Sequence, residues 1–180
     1  MNKRLTTVCL VIGSVAALGG FSASAAGRPE IFRAKLVATQ EVPVVSSQAH
    51  GELEAWIQAD GSLAYKLTYE GLEGGNTLFA HIHLGQKSVN GSVMAFLCGG
   101  NSKPTPCPNQ SGTVEGTIVA SDILAIGTQQ VSAGGFDEFL RALRNGTAYA
   151  NAHTTASPGG EIRGQIKVDR NNGDGNNDRH

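Results

Sequence analysis

Between Ile31 and Val168 apolar and polar side chains alternate at every second residue, in bursts six to nine residues long, and helical spacing occurs only once. A period of two puts one face of an extended chain on a core and turns the other away from it, so each burst reads as a β-strand. The clearest are Ile31–Thr39, Glu52–Gln58 and Ser62–Tyr69, the last two joined by the hairpin signal Asp60-Gly61. In that hairpin Leu53, Ala55 and Ile57 share a face opposite Leu63, Tyr65, Leu67 and Tyr69. Further strands are expected at Thr77–Leu84, Ser92–Leu97, Thr113–Val119, Thr147–His153 and Glu161–Val168, which makes about eight. The one helix is Phe136–Arg144, where Phe136, Phe139, Leu140 and Leu143 recur at helical spacing and Asn145-Gly146 supplies the stop. The fold class is therefore all-β: an antiparallel sandwich or barrel with one short helix.

Composition agrees with strands cut by tight turns. Of 180 residues 24 are glycine and 6 proline, and only 16% are charged. The formal net charge is −1, and no basic run interleaves with aromatics, which excludes a nucleic-acid footprint. Lys3 and Arg4 precede an apolar stretch from Val8 to Phe21 and the small residues Ala23-Ser24-Ala25, the pattern of a secretory signal peptide over residues 1–25. It is too short for a membrane anchor. Loss of Lys3 and Arg4 leaves 12 basic and 15 acidic residues, a charge of −3, which gives no attraction to a membrane or polyanion. A single β domain is expected over residues 26–168. The polar residues 169–180 read as a disordered tail.

An exported chain with two remaining cysteines is expected to join them. Cys98 and Cys107 would then close a short loop, and their spacing fits no usual zinc pattern. The most informative tripeptide is His81-Ile82-His83. On a strand both imidazoles project from one face about 6 to 7 Å apart, with Ala80, Ile82 and Leu84 toward the core. Tyr149, Asn151 and His153 share one face of their own strand, so His153 is the expected third ligand. Three imidazoles suit copper or zinc, provided their nitrogens come within about 3 to 4 Å of one another at a strand edge. In the competing reading the histidines only hydrogen-bond the backbone. His50 and His180 are weaker candidates. Glu161 and Arg163 follow Pro158-Gly159-Gly160 and are expected either to support the His153 loop or to form a surface ion pair. No nucleophile elbow or carboxylate pair is present, so a binding module is expected rather than an enzyme.

The ordered motifs Ala38-Thr39-Gln40-Glu41-Val42-Pro43, the hairpin at Asp60-Gly61, Ala80-His81-Ile82-His83, the helix, Ala148-Tyr149-Ala150-Asn151-Ala152-His153-Thr154 and Pro158-Gly159-Gly160-Glu161-Ile162-Arg163-Gly164-Gln165-Ile166 resemble the CHRD domain. That domain is repeated in chordin and occurs singly in many secreted bacterial proteins. The resemblance spans residues 31–168 and implies an extracytoplasmic β-rich domain. Cys98–Asn109 looks like an insertion into the family pattern. The expected protein is thus a secreted or periplasmic binding module for a protein or small ligand, with no nucleic-acid partner, no membrane anchor, and either copper or zinc or no cofactor. A weaker similarity to copper/zinc superoxide dismutase rests on the His-x-His strand and the later histidine. No histidine lies between His83 and His153, so that enzyme's remaining ligands have no counterpart.

Overall fold

The computed structural model describes residues 28–100 and 102–170. The expected leader, His180 and the tail from residue 171 onward lie outside the described residues. Among the described residues nine strands form one antiparallel sheet: β1 (Ile31–Val37), β2 (His50–Ile57), β3 (Leu63–Glu70), β4 (Thr77–Leu84), β5 (Ser92–Cys98), β6 (Gly112–Ile118), β7 (Ala148–Thr154), β8 (Ile162–Gln165) and β9 (Lys167–Val168). Helix α1 (Phe136–Arg144) precedes β7. Among the described residues no helix is long and apolar enough to cross a membrane.

The strands lie in the order β5-β4-β7-β8-β1-β2-β3-β6, with β9 also on β1. The sheet curls into a nearly closed barrel, and its two end strands approach each other. Their seam is bridged from inside by the buried Tyr65, whose hydroxyl donates to Leu97 O at 2.7 Å. It is also bridged by the Leu124 N–H, which donates to Met94 O at 2.9 Å. The expected disulfide is formed: Cys98 and Cys107, with Cα atoms 5.1 Å apart, tie the end of β5 to the loop before β6.

Parity placed the hairpin correctly, with Leu53 opposite Leu67, Ala55 opposite Tyr65 and Ile57 opposite Leu63. The turn is held by Asp60 Oδ1, which accepts from the Ser62 N–H and hydroxyl at 3.0 and 2.6 Å. Most strand ends shift by one or two residues from expectation, and two differences change the path of the chain. The first strand stops at Val37, and Ala38–Gln40 form a 3-10 turn. The last strand is broken at Ile166, which is fully buried and donates its N–H to Ala148 O. Beyond it, Asp169 does not belong to a free tail, because its N–H bonds Ile31 O and its carboxylate accepts from Arg33 Nε at 2.8 Å.

The core is asymmetric. From β1, β2 and β3 come Phe32, Leu36, Leu53, Leu63, Leu67 and Tyr69, all at most 1% exposed. From β4, β5 and β7 come mainly small side chains, Ala80, Ala95, Ala148, Ala150 and Ala152, all fully buried, together with Ile82, Met94 and Leu97. Small side chains on one wall leave room for large ones from the other, as close packing requires. Helix α1 adds Phe139 and Leu143 to this core. Its Asp137 and Glu138 lie in the first turn and Arg141 and Arg144 in the last, which suits the helix dipole.

Between β8 and β1 the sheet has no space for a side chain at Gly164, where a Cβ would lie 2.4 Å from Lys35 O and 2.7 Å from Lys35 C. The obstruction is backbone and cannot swing aside. Gly164→Ala is expected to cost about 2–3 kcal/mol and to lower Tm by roughly 6–12 °C in a scanning calorimetry comparison with the parent.

Candidate metal centre

On β4, β7 and β8 the face turned away from the alanine wall carries the candidate residues. His81 and His83 come from β4, Tyr149, Asn151 and His153 from β7, and Arg163 from β8. β4 lies between β5 and β7, and β7 between β4 and β8. The site is therefore on the face of the sheet's interior strands, not at the strand edge that the sequence suggested. Nor is it open. His81, His83 and His153 are 4%, 7% and 4% exposed, and every residue of β7 is buried.

The three imidazoles meet. One ring nitrogen from each can be chosen so that all three lie within 4.8 Å of one another. His83 Nε2 and His81 Nδ1 are 2.8 Å apart. The trio as a whole is wider than the expected 3–4 Å. Ligands about 2.0–2.1 Å from a tetrahedral ion sit about 3.3 Å apart, so ion binding requires a contraction of about 1.5 Å.

The hydrogen bonds define the tautomers. A carbonyl oxygen only accepts, so His83 Nδ1–H donates to Gly91 O at 2.9 Å and His153 Nδ1–H to Pro158 O at 3.0 Å. Each neutral ring then carries its lone pair on Nε2. His81 Nδ1 faces two acceptors, His83 Nε2 and, at 3.1 Å, Asn151 Oδ1, so it bears the proton. Its own Nε2 is left with a lone pair. The Nε2 of His153 is buried with no hydrogen-bond partner.

Burial holds the trio neutral. It pushes His81 down to about 2, with His153 and His83 adding to the effect. It likewise pushes His153 down to about 4, and lowers His83. Phe79 stacks on His81 at 5.0 Å and Phe96 meets it edge-on at 5.1 Å. Tyr149 lies flat on His83, with ring centroids 4.6 Å apart and planes 3° from parallel.

Arg163 backs this stack. It is 2% exposed, its guanidinium carbon sits 3.4 Å from the Tyr149 ring centre, and it donates to Asn90 Oδ1, Val89 O and Gln86 O. Those three acceptors belong to the β4–β5 connection, and Asn90 Nδ2 in turn donates to Val42 O in the β1–β2 connection. The two connections are thereby joined over the site.

Glu161 does different work. Its carboxylate accepts from Ser47 Oγ, Glu73 N–H, Gly74 N–H and Thr154 Oγ1 at 2.7–3.0 Å. Burial raises its pKa, yet these four donors together hold it below the usual carboxylate range. Neither Glu161 nor Arg163 forms the surface ion pair considered above, because both are buried and each has other partners. His50 stands apart, exposed on β2 at 3.8 Å from Glu70.

Glu41 is the residue that strand reading passed over. It is 5% exposed, accepts from the Val42 N–H through Oε2, and leaves Oε1 buried without a partner. Its signal was present only as part of the motif Ala38–Pro43. Asn151 and Tyr149 were legible through the parity they share with His153.

The fold defines the class: an all-β, nearly closed antiparallel barrel with a buried histidine trio under two joined connections. Residues 32–166 match the CHRD domain, and the chain belongs to that family. No curated protein and no solved structure gives a match.

Depressed histidine pKa values make the metal-free fold acid-sensitive. Below 6.5, the ordinary imidazole value, the unfolded chain takes up protons that folded His153 refuses until about pH 4. Stability is fully present above about 6.5 and falls as pH drops, by about 3 kcal/mol at pH 4 from His153 alone. Denaturant melts in chelator at pH 7.5, 6.0, 5.0 and 4.2 should show this slope. It should become shallower in His153→Asn, which keeps a donor for Pro158 O and does not titrate, and the slope that remains belongs to His81 and His83.

Proposed function

We propose that this CHRD domain is an exported, non-enzymatic binding module whose His81, His83 and His153 hold one copper or zinc ion. The observation that carries the reading is the bare, buried Nε2 of His153 beside two further neutral imidazoles. An unpaired buried polar atom costs about 1–3 kcal/mol, and a ligand at that nitrogen removes the cost. Anchoring a ligand's other ring nitrogen on a backbone carbonyl, as at Gly91 and Pro158, fixes the ring and raises its basicity, the usual arrangement behind metal-binding histidines. Neutral rings at pH 7 need no proton removed before binding. Export is supported by the leader pattern and is compatible with the disulfide.

Calorimetric titration of the purified protein with Cu(II) and with Zn(II) should give one site per chain. His81→Ala/His83→Ala should abolish it. Equal affinity in parent and variant would overturn the proposal.

The 2.8 Å contact between His83 and His81 favours a second reading, in which the trio is a hydrogen-bonded structural cluster. The two readings separate in chelator and in metal. A structural cluster predicts that the double variant loses several degrees of Tm without metal and that added Zn(II) leaves the parent unchanged. A metal centre predicts a concentration-dependent rise in the parent's Tm, absent from the variant.

A further inference from the structure

Beside the trio lies a carboxylate with one buried oxygen that no donor meets. Glu41 reaches the site from the β1–β2 connection, 110 residues from Asn151 in the chain. The two side chains converge on the space left by Gly160, where a Cβ would stand 2.2 Å from Glu41 Oε1 and 2.9 Å from Asn151 Nδ2. The other end of the Asn151 amide, Oδ1, is 3.1 Å from His81 Nδ1. The order in space is carboxylate, amide, imidazole. Burial raises the pKa of Glu41, while the Val42 N–H, the Arg163 charge and the Asn151 amide favour its ionised form; no donor meets Oε1 at full hydrogen-bond geometry. Gly160 also has φ +123°, so a larger residue there is disfavoured by backbone as well as by space.

Three neutral imidazoles bring no negative charge to an entering ion. In a buried site the charge of the ion must be balanced nearby, and the balance matters more for a divalent ion than for a monovalent one. Arg163 lies on the same face and opposes any cation, which sharpens the need.

We propose that Glu41 is the charge-compensating group of this centre, acting through Asn151 on His81, and that it makes the site selective for divalent over monovalent ions. The proposal rests on the metal reading above and assigns Glu41 a positioning and electrostatic role without requiring it to touch the ion.

Zn(II) and Ag(I) share a closed d shell and differ in charge, so they test this directly. Both are titrated by calorimetry, in chloride-free buffer, into the parent, Glu41→Gln and Glu41→Asp. Glu41→Gln keeps the shape and an acceptor for the Val42 N–H. Zn(II) affinity should fall by about tenfold in Glu41→Gln, while Ag(I) affinity falls by about threefold, the square root of that factor, because the Coulomb energy scales with the ion's charge. Glu41→Asp should restore at least part of the discrimination.

Equal losses for both ions, or none for either, would overturn the charge-compensating role and leave the metal centre standing. Failure of the parent to bind either ion would overturn both proposals. Tm in chelator reports whether Glu41→Gln folds. If it does not, the Zn(II)-to-Ag(I) ratio of Asn151→Asp decides: a carboxylate placed one step nearer should raise the ratio above the parent's, and an unchanged ratio would overturn the proposal.

Discussion

Strand β7 has no face in water, and most of what is distinctive in this barrel follows from that. One side of it is three alanines in the core; the other is Tyr149, Asn151 and His153, and all six are at most 4% exposed. Polar groups taken out of water must find partners, and a sheet strand offers only its neighbours and whatever crosses above it. Here the cover is two connections, residues 41–48 and 85–91, which are irregular and have their own backbone groups to satisfy. Arg163 answers part of that need by donating to two carbonyls and one amide in the second connection. Asn90 then joins the second connection to the first.

Glu161 plays the corresponding part at the other end of the face. A single carboxylate organises Ser47, the turn at Glu73-Gly74 and the end of β7. Four donors around a buried anion can outweigh its desolvation, which is why it stays ionised where an unaided buried carboxylate would take up a proton. The two ends are thus held by opposite charges that do not pair with each other. Direct pairing would have satisfied the charges and left the connections unanchored.

Much of this was legible from parity. Alternation located every strand to within a few residues, fixed the β2–β3 register and put His81 and His83 on one face with His153 available from another strand. What parity cannot tell is whether a polar face meets water or a second layer, since both give the same alternation. The His face was therefore read as a strand edge, and Glu161 and Arg163 as candidates for a surface pair. The missing information is tertiary. It lies in connections without periodicity, where Glu41 and Asn90 carry no pattern that marks them as part of a site. The break at Ile166 was invisible for a related reason: an apolar residue there suits a continuous strand as well as a divided one.

The distribution of unsatisfied groups bears on what such a face is for. Among the described residues three buried side-chain polar atoms lack a partner: Glu41 Oε1, His153 Nε2 and Ser102 Oγ. Two of the three border the same few side chains, in a structure that elsewhere gives one carboxylate four donors. Each costs about 1–3 kcal/mol, against a total stability of about 5–15 kcal/mol for a domain. An apolar ring at position 153 would fill the same space beside Phe79 but would leave Pro158 O without its donor, so a purely structural histidine there sets one hydrogen bond against one orphaned nitrogen. A lone pair on His153, whose ring lies 4.4 Å from that of His81, and a bare carboxylate oxygen near the Asn151 amide are complementary to a cation. That complementarity, more than the count of histidines, is what favours a bound ion over a hydrogen-bonded core.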